Sequence, residues 1–295
     1  MDPLIAWIFR LAVRMLSLLS LASQRRVGRT LGALAWRMDS RHARVTRTNI
    51  DLCFPELSAP EKESLGKASL QHTAQLFTES GVVFHWPKER WAALIKKVEG
   101  ESLIRDAMSS GSGVLMLAPH FGNWEFLSLY LGQFALTALY DPPRIRALEG
   151  PIVASRRRSG LRLIPIGTGG LKALYRTLRQ SGVAALLPDQ VPERRAGVYA
   201  PFFDRPALTM TIAHRLIQRT RPRVLFCAAV RIPDGFGIRI SEADPLVGDA
   251  DVLVSATAMN RSIETLVRED PAQYQWEYKR FKRQPPDQPK LYRDS

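Results

Sequence analysis

Short apolar runs alternate with stretches of helical spacing along much of the chain. Three runs bounded by turn residues predict buried strands, over 113–119 (GVLMLAP), 183–187 and 224–230. Helical spacing of apolar residues predicts helices over 61–85, 89–97, 101–110, 123–133, 170–180 and 209–220. Strands that alternate with helices predict an α/β fold, in which right-handed crossovers place helices on both faces of a sheet.

A longer apolar stretch lies at the amino terminus, over residues 4–23, and contains Arg10 and Arg14. Its length fits a membrane span. The two arginines share one helical face, however, which gives an amphipathic helix suited to the membrane interface. Both arrangements fit the sequence, as does a buried first helix of a soluble domain. A cleaved signal peptide needs an uninterrupted apolar centre, which this stretch lacks.

The segment after this stretch is rich in arginine, and the positive-inside rule places such a segment on the cytoplasmic side of a membrane. The arginines are Arg25, Arg26, Arg29, Arg37, Arg41, Arg44 and Arg47. No internal repeat or low-complexity linker divides the remaining sequence. We therefore expect an amino-terminal membrane-anchor helix over residues 1–24 and one domain over residues 25–295.

The composition is that of a folded, basic protein. Hydrophobic residues make up 45% of the 295 residues, enough for a sizeable core, and the formal net charge is +14. An anionic partner is favoured, and nucleic acid, phosphorylated lipid and an acidic carrier protein all have the right charge. No nucleic-acid-binding motif accompanies the charge, so we do not expect nucleic acid binding. Cys53 and Cys227 lie far apart in apolar runs, which disfavours a disulfide framework or a cysteine zinc site.

The segment APHFGNWEF carries the candidate chemistry. His120 stands at the carboxyl end of a predicted strand, where α/β sheets collect ligands. Gly122 permits a tight turn, and Asn123 is a candidate cap for the next helix, whose first turn carries Glu125. We expect Glu125 to reach back to His120 and fix its tautomer. The neutral imidazole would then act as general base on a substrate hydroxyl group, without an enzyme nucleophile.

Spacing alone leaves other interpretations open. In a purely structural interpretation, His120 caps the end of a strand, and Glu125 is a favourable anion at the start of a helix. A metal site is disfavoured because this spacing lacks the helical pair of a zincin, and we expect neither a metal nor another cofactor. Asp189 also follows a predicted strand, where it would bond the acceptor or form a structural ion pair with an arginine.

Several blocks carry a resemblance to a known family. The segment at 118–125 resembles the His-x4-acid motif of the lysophospholipid acyltransferase superfamily. Within that superfamily the chain is similar to the bacterial lipid A late acyltransferases, the lauroyl and myristoyl transferases. The amino-terminal stretch fits them, as do RTNIDLCFPE (47–56), SRRRSG (155–160), LLPDQ (186–190), APFFDRPALTMT (200–211) and YQWEYKRFK (274–282). The resemblance covers nearly the whole chain.

The resemblance implies a fold and a reaction. The fold is a glycerolipid-acyltransferase-like mixed sheet flanked by helices, at the cytoplasmic face of the bacterial inner membrane. The reaction, part of lipopolysaccharide biosynthesis, transfers a fatty acyl chain from acyl carrier protein to a hydroxyl group of a 3-hydroxyacyl chain on a lipid A precursor. An acyltransferase for a glycerophospholipid or other glycolipid is the alternative within this chemistry. A non-catalytic basic membrane-binding protein is the alternative from another class.

The resemblance also implies roles for single residues. His120 matches the catalytic base and Glu125 its partner. Arg156 and Arg158 match a basic block that meets phosphates or sugar acids of the acceptor, and Asp189 matches an acidic substrate-binding position.

The residues themselves offer some support for these roles. Residues 141–200 contain many more arginines and lysines than acids, which suits phosphate binding; a solvated basic face is the alternative. An acidic carrier protein would find further positive charge near the carboxyl end, at Lys279, Arg280, Lys282 and Arg283.

Overall fold

The structure, a computed structural model, describes residues 2–141 and 149–292. The helices within these ranges are α1 (Asp2–Ser17), α2 (Leu21–Arg37), α3 (Arg41–Cys53), α4 (Ala59–Thr78), α5 (Ser80–His85), α6 (Lys88–Ala92), α7 (Glu101–Ser109), α8 (Trp124–Leu131), α9 (Glu149–Arg158), α10 (Thr168–Arg179), α11 (Ile212–Thr220) and α12 (Val252–Glu269). The strands are β1 (Ile95–Glu99), β2 (Val114–Leu117), β3 (Thr137–Tyr140), β4 (Arg162–Pro165), β5 (Val183–Leu186), β6 (Gly197–Phe202), β7 (Arg205–Met210), β8 (Arg223–Ile232) and β9 (Gly235–Glu242).

Most of the described strands form one mixed sheet, in the order β1-β9-β8-β2-β5-β3-β4. Neighbouring strands are parallel except β8 and β9, which form an antiparallel hairpin. Strands β6 and β7 pair separately as an antiparallel ribbon. The predicted α/β fold is confirmed, and the three predicted strands are present as β2, β5 and β8.

The core lies on both faces of the central strands. Val114 and Met116 of β2 belong to one apolar cluster, with residues of α7 and α8, whereas Leu115 and Leu117 belong to a second, with residues of α10, α11 and α12. Every residue of β2 and β5 is buried. Because both faces of these strands are covered by helices, the strands appear in the sequence as uninterrupted apolar runs.

Three predicted helices differ from those observed. The helix predicted over 89–97 ends at Ala92, and Ile95–Glu99 is strand β1. This edge strand is largely exposed and contains two lysines, so it lacks the apolar pattern that marks a strand. The helix predicted over 209–220 begins at Ile212, because the residues before it pair in the β6–β7 ribbon. The helix predicted over 61–85 is divided at Glu79 into α4 and α5.

The amino-terminal apolar stretch forms two helices, which corrects the expectation of one anchor helix over residues 1–24. α1 ends at Ser17, whose hydroxyl donates to the Arg14 carbonyl. The Ser20 side chain then caps α2 by accepting a hydrogen bond from the Ser23 N–H group. Across the described parts of the chain, we find no helix with both the length and the apolar character needed to cross a membrane.

Helices α2 and α4 pack with their backbones in contact at two glycines. A Cβ atom added at Gly32 would lie 2.5 Å from the Cα atom of Gln71, and one added at Gly28 would lie 2.7 Å from the Cα atom of Gln75. The indole ring of Trp36 covers Gly66 in the same interface. A larger residue at any of these glycines would force the helices apart.

We predict that Gly32→Ala lowers the free energy of unfolding by about 1–3 kcal/mol, the usual cost of overpacking a close interface. Thermal unfolding followed by circular dichroism measures the effect. Gly169→Ala is the matched control, because nothing lies within 4 Å of a Cβ atom added there, within helix α10. Its melting temperature should stay the same or rise slightly. Equal melting temperatures for the two variants would contradict the prediction.

Candidate active site

A strand, a tight turn and a helix place His120 at the carboxyl edge of the sheet, as predicted. β2 ends just before it, and Gly122 in the turn has a φ of +62°. A Cβ atom at this position would lie 2.1 Å from the Ala229 carbonyl oxygen, so only glycine fits. The side chain of Asn123 accepts a hydrogen bond from the Phe126 N–H group at 2.8 Å, which confirms the predicted helix cap.

The imidazole of His120 is held by Asp189. The Nδ1 atom lies 2.7 Å from Oδ1 of Asp189, and the backbone N–H group of His120 donates to Oδ2 at 2.8 Å. Both residues are buried, at 8% and 2% exposure. Burial acts to raise the pKa of Asp189, but the charge attraction and hydrogen bonds of His120 outweigh it and hold that pKa below its usual value. The carboxylate therefore stays ionised near neutral pH.

The second ring nitrogen faces an amide. Nε2 of His120 lies 3.0 Å from the side-chain Nε2 atom of Gln190. An amide nitrogen only donates, so this ring nitrogen is the acceptor and Nδ1 carries the proton that Asp189 receives. This is the tautomer that a general base needs, because the lone pair on Nε2 points away from the orienting carboxylate.

The structure corrects the expected contact between Glu125 and His120. Glu125 instead forms a bidentate ion pair with Arg156 of α9: Nε of Arg156 donates to Oε2 at 3.1 Å, and Nη2 donates to Oε1. Both side chains retain about a fifth of their exposure. The sheet explains the difference, because β5 is hydrogen-bonded directly to β2 and brings Asp189 closer to the imidazole than a residue on the next helix.

Arg158, the second arginine of the predicted basic block, lies apart from this pair. Its Nη2 atom donates to the carbonyl groups of Val83 and Trp86 at 3.3 Å, at the end of helix α5. Positive charge at a helix carboxyl terminus is stabilising. Arg280 is also occupied, because it is buried and donates to the Leu208 carbonyl, so it is not free to meet a carrier protein.

Three residues around the imidazole were not predicted. Gln190 contacts Nε2, and the Trp124 ring packs edge-on against the imidazole with ring centroids 4.8 Å apart. Tyr274 is buried and hydrogen-bonded to Asp189; burial and the carboxylate together raise its pKa well above the usual value. All three lie in sequence blocks that carry the family resemblance, which is the signal that would have selected them.

Comparison with known proteins extends the similarity over nearly the full length. A family model described as bacterial lipid A biosynthesis acyltransferase matches residues 2–283. A lipid A biosynthesis palmitoleoyltransferase of Escherichia coli (strain K12) is 28% identical over 272 residues, which cover 90% of this chain and 87% of that protein. A lipid A biosynthesis lauroyltransferase of the same organism is 28% identical over 278 residues, with 90% and 88% covered. A lipid A biosynthesis acyltransferase of Haemophilus influenzae is 26% identical over 300 residues, with 97% and 94% covered.

We predict that the His120–Asp189 contact makes stability depend on pH in the acid range. Because the folded-state pKa of Asp189 is lowered, its contribution is present above the unfolded pKa of about 3.9 and is lost as pH falls through the folded value. Asp189→Asn should therefore lower the free energy of unfolding by about 1.5–3 kcal/mol at pH 7, the range for hydrogen bonds to charged groups. This difference in stability between variant and wild type should shrink from about pH 4 downward.

Urea unfolding of the wild-type protein and of Asp189→Asn, near pH 7 and near pH 3, checks this prediction. Asp234→Asn is the control, because it removes the same charge from an exposed residue and should cost little at either pH. A deficit for Asp189→Asn that is equal at the two pH values would contradict the pKa direction.

Proposed function

The chain belongs to the bacterial lipid A biosynthesis acyltransferases, and we propose that it transfers a fatty acyl chain from the thioester of acyl carrier protein to a hydroxyl group on a 3-hydroxyacyl chain of a lipid A precursor. Family membership makes the protein an acyltransferase and confirms the resemblance that its motifs carry. The names of the relatives support a lipid A acceptor. The donor, the acceptor hydroxyl group and the mechanism are our proposal.

The observation that carries the mechanism is the orientation of His120 by Asp189. The acceptor hydroxyl group would replace the Gln190 amide as donor to Nε2. As the hydroxyl oxygen attacks the thioester carbonyl carbon, its proton passes to Nε2, and the ionised Asp189 stabilises the resulting imidazolium. The carbon–sulfur bond then breaks, and the imidazolium returns the proton to the leaving thiolate. The enzyme ends unchanged and carries no acyl group.

The Glu125–Arg156 pair supplies a second part of the proposed site. The guanidinium of Arg156 uses two nitrogens on Glu125, and its remaining N–H groups are available for an anion such as an acceptor phosphate. Glu125 fixes the plane of this guanidinium. We therefore assign Glu125 and Arg156 to binding of the acceptor, and the imidazole with Asp189 to the chemistry.

The surface of the amino-terminal helices supports a membrane location. Large apolar side chains are exposed together on α1, on α2, in the turns that follow them and on α4: Leu4, Ile5, Trp7, Ile8, Leu11, Met15, Leu18, Leu19, Val27, Leu31, Leu34, Met38 and Phe77. A clustered exposed apolar surface beside many arginines is typical of proteins that rest in a membrane interface. We propose that this surface lies on the cytoplasmic face of the bacterial inner membrane, where the lipid acceptor resides.

The proposed reaction predicts distinct effects of three substitutions. His120→Ala should lower kcat by about 10²–10⁴, the usual contribution of a general base. Asp189→Asn should lower kcat with little change in KM, since it removes the group that sets the tautomer. Glu125→Gln should mainly raise KM for the acceptor, because it frees Arg156 to move. Purified protein, labelled acyl carrier protein and a lipid A precursor provide the assay, with circular dichroism to verify folding.

Two outcomes of that assay contradict parts of the proposal. A folded His120→Ala variant with the wild-type rate would eliminate His120 as the base. Wild-type protein that acylates a lysophospholipid but leaves the lipid A precursor unmodified would assign the acceptor to glycerophospholipids instead.

The membrane proposal predicts that charge on α2 weakens binding to lipid. Leu31→Glu with Leu34→Glu should lower co-sedimentation with anionic phospholipid vesicles at least tenfold, because two charged side chains would enter the apolar interface. Leu246→Glu with Leu253→Glu is the matched control: these leucines are 47% and 44% exposed, against 51% and 50% for the α2 pair. Equal loss of binding by both double variants would refute the assignment of this surface.

A further inference from the structure

A carboxylate lies buried behind the active-site turn. The side chain of Glu79, between α4 and α5, has no exposure to solvent. Arg25 donates to its Oε1 atom at 2.8 Å, and Arg231 donates to its Oε2 atom at 2.9 Å. The same Oε2 atom also accepts a hydrogen bond from the Asn123 side-chain amide at 2.7 Å, which is the third hydrogen bond to this carboxylate. Asn123 stands in the turn between His120 and Glu125.

The partners of Glu79 are fixed by other contacts. Arg25 comes from helix α2, and its guanidinium also donates to carbonyl groups in the β8–β9 turn, including that of Gly235 at 2.8 Å. The backbone of Arg231 exchanges two hydrogen bonds with the Gln273 side chain, at 2.8 and 3.0 Å. The carboxylate is therefore held by groups on three separate segments of the chain.

The active-site turn is bonded to the same structure. The Gly122 N–H group donates to the Gln273 carbonyl at 2.9 Å, and the Asn123 N–H group donates to the Ala229 carbonyl at 2.8 Å. These backbone bonds attach the turn to strand β8 and to the segment after α12. The bond from the Asn123 side chain to Glu79 attaches it to the junction of α4 and α5 as well.

We propose that Glu79 is a positioning residue for acyl transfer, which acts through Asn123 to hold His120 and the start of helix α8 in register with Asp189. The inference rests on the proposed function, because its main readout is the acyl transfer rate. A buried Arg–Glu–Arg group is in general no more stabilising than apolar packing of similar volume. The three hydrogen bonds to Glu79 do, however, fix the orientation of the groups that donate them, which an apolar side chain would not do.

Asn123→Ser removes the contact with Glu79 and keeps the helix cap. Serine retains a side-chain oxygen that caps α8, but it is too short to reach Glu79, and both arginines keep their bonds to the carboxylate. We expect kcat for acyl transfer to fall at least tenfold with little change in KM for donor and acceptor. The free energy of unfolding should fall by about 1.5–3 kcal/mol, because a buried hydrogen bond to a charged group is lost. Asp251→Ser is the control, since it makes a similar exchange at the cap of α12 and should leave kcat unchanged.

A double-mutant cycle with Glu79→Gln tests the connection between the two residues. Glu79→Gln should lower kcat in the wild-type background and have no further effect on kcat in the Asn123→Ser background. Equal effects of Glu79→Gln in the two backgrounds, or a wild-type kcat for Asn123→Ser, would overturn the proposal.

Amide hydrogen exchange gives a readout that needs no substrate. The N–H groups of His120, Gly122 and Asn123 are all hydrogen-bonded and should exchange at least tenfold faster in Asn123→Ser, with α12 unaffected. Wild-type exchange in this turn would refute the positioning role even if the protein acylated a different acceptor. Absence of acyl transfer by the wild-type protein, with faster exchange in the variant, would refute the proposed function alone.

Discussion

The parallel pairing of β2 with β5 is the constraint on which the site depends. The register pairs Leu117 with Leu186 at the ends of the two strands. His120 and Asp189 each stand at the third position after these paired leucines, and a proline precedes each of them. Because proline favours an extended conformation in the residue before it, the segments that follow β2 and β5 leave the sheet in similar conformations. These two segments therefore stay side by side, and the imidazole and the carboxylate meet at hydrogen-bond distance.

The two carboxylates of the site are distinguished by their surroundings. Asp189 is buried, receives hydrogen bonds from His120 and Tyr274, and stays ionised because the imidazole outweighs the cost of burial. Glu125 is partly exposed and neutralised by Arg156. A carboxylate whose charge is already matched by a guanidinium has little attraction left for an imidazolium, whereas Asp189 is hydrogen-bonded directly to the imidazole. In the proposed reaction, this difference assigns proton transfer to His120 with Asp189 and anion binding to Arg156 with Glu125.

Local patterns predicted the parts of the fold that have local causes. The β2 run, the glycine at 122 and the cap at Asn123 each follow from short-range physics, and the strand, turn and helix around His120 are as predicted. The contact with Asp189 was missed because the order of strands in a sheet does not follow from local pattern. Strands β3 and β4 were missed because neither is a fully buried apolar run: the last two residues of β3 are only partly buried, and β4 is exposed at both ends. The resemblance identified the family correctly, but its motif suggested Glu125 as the partner of the imidazole.

The two faces of helix α2 connect the proposed membrane surface to the turn that follows His120. One face exposes an apolar stripe that includes Leu31 and Leu34, and the other buries Arg25 against Glu79. Separating a buried ion pair is costly, since each charge would lose its partner without gaining water. The contacts of Glu79 with Arg25 and with Asn123 therefore join helix α2 to the turn at Asn123. On the proposed function, a protein that rests on lipid through α2 would hold His120 near the membrane through these contacts, which suits an acceptor hydroxyl group on a chain that does not leave the bilayer.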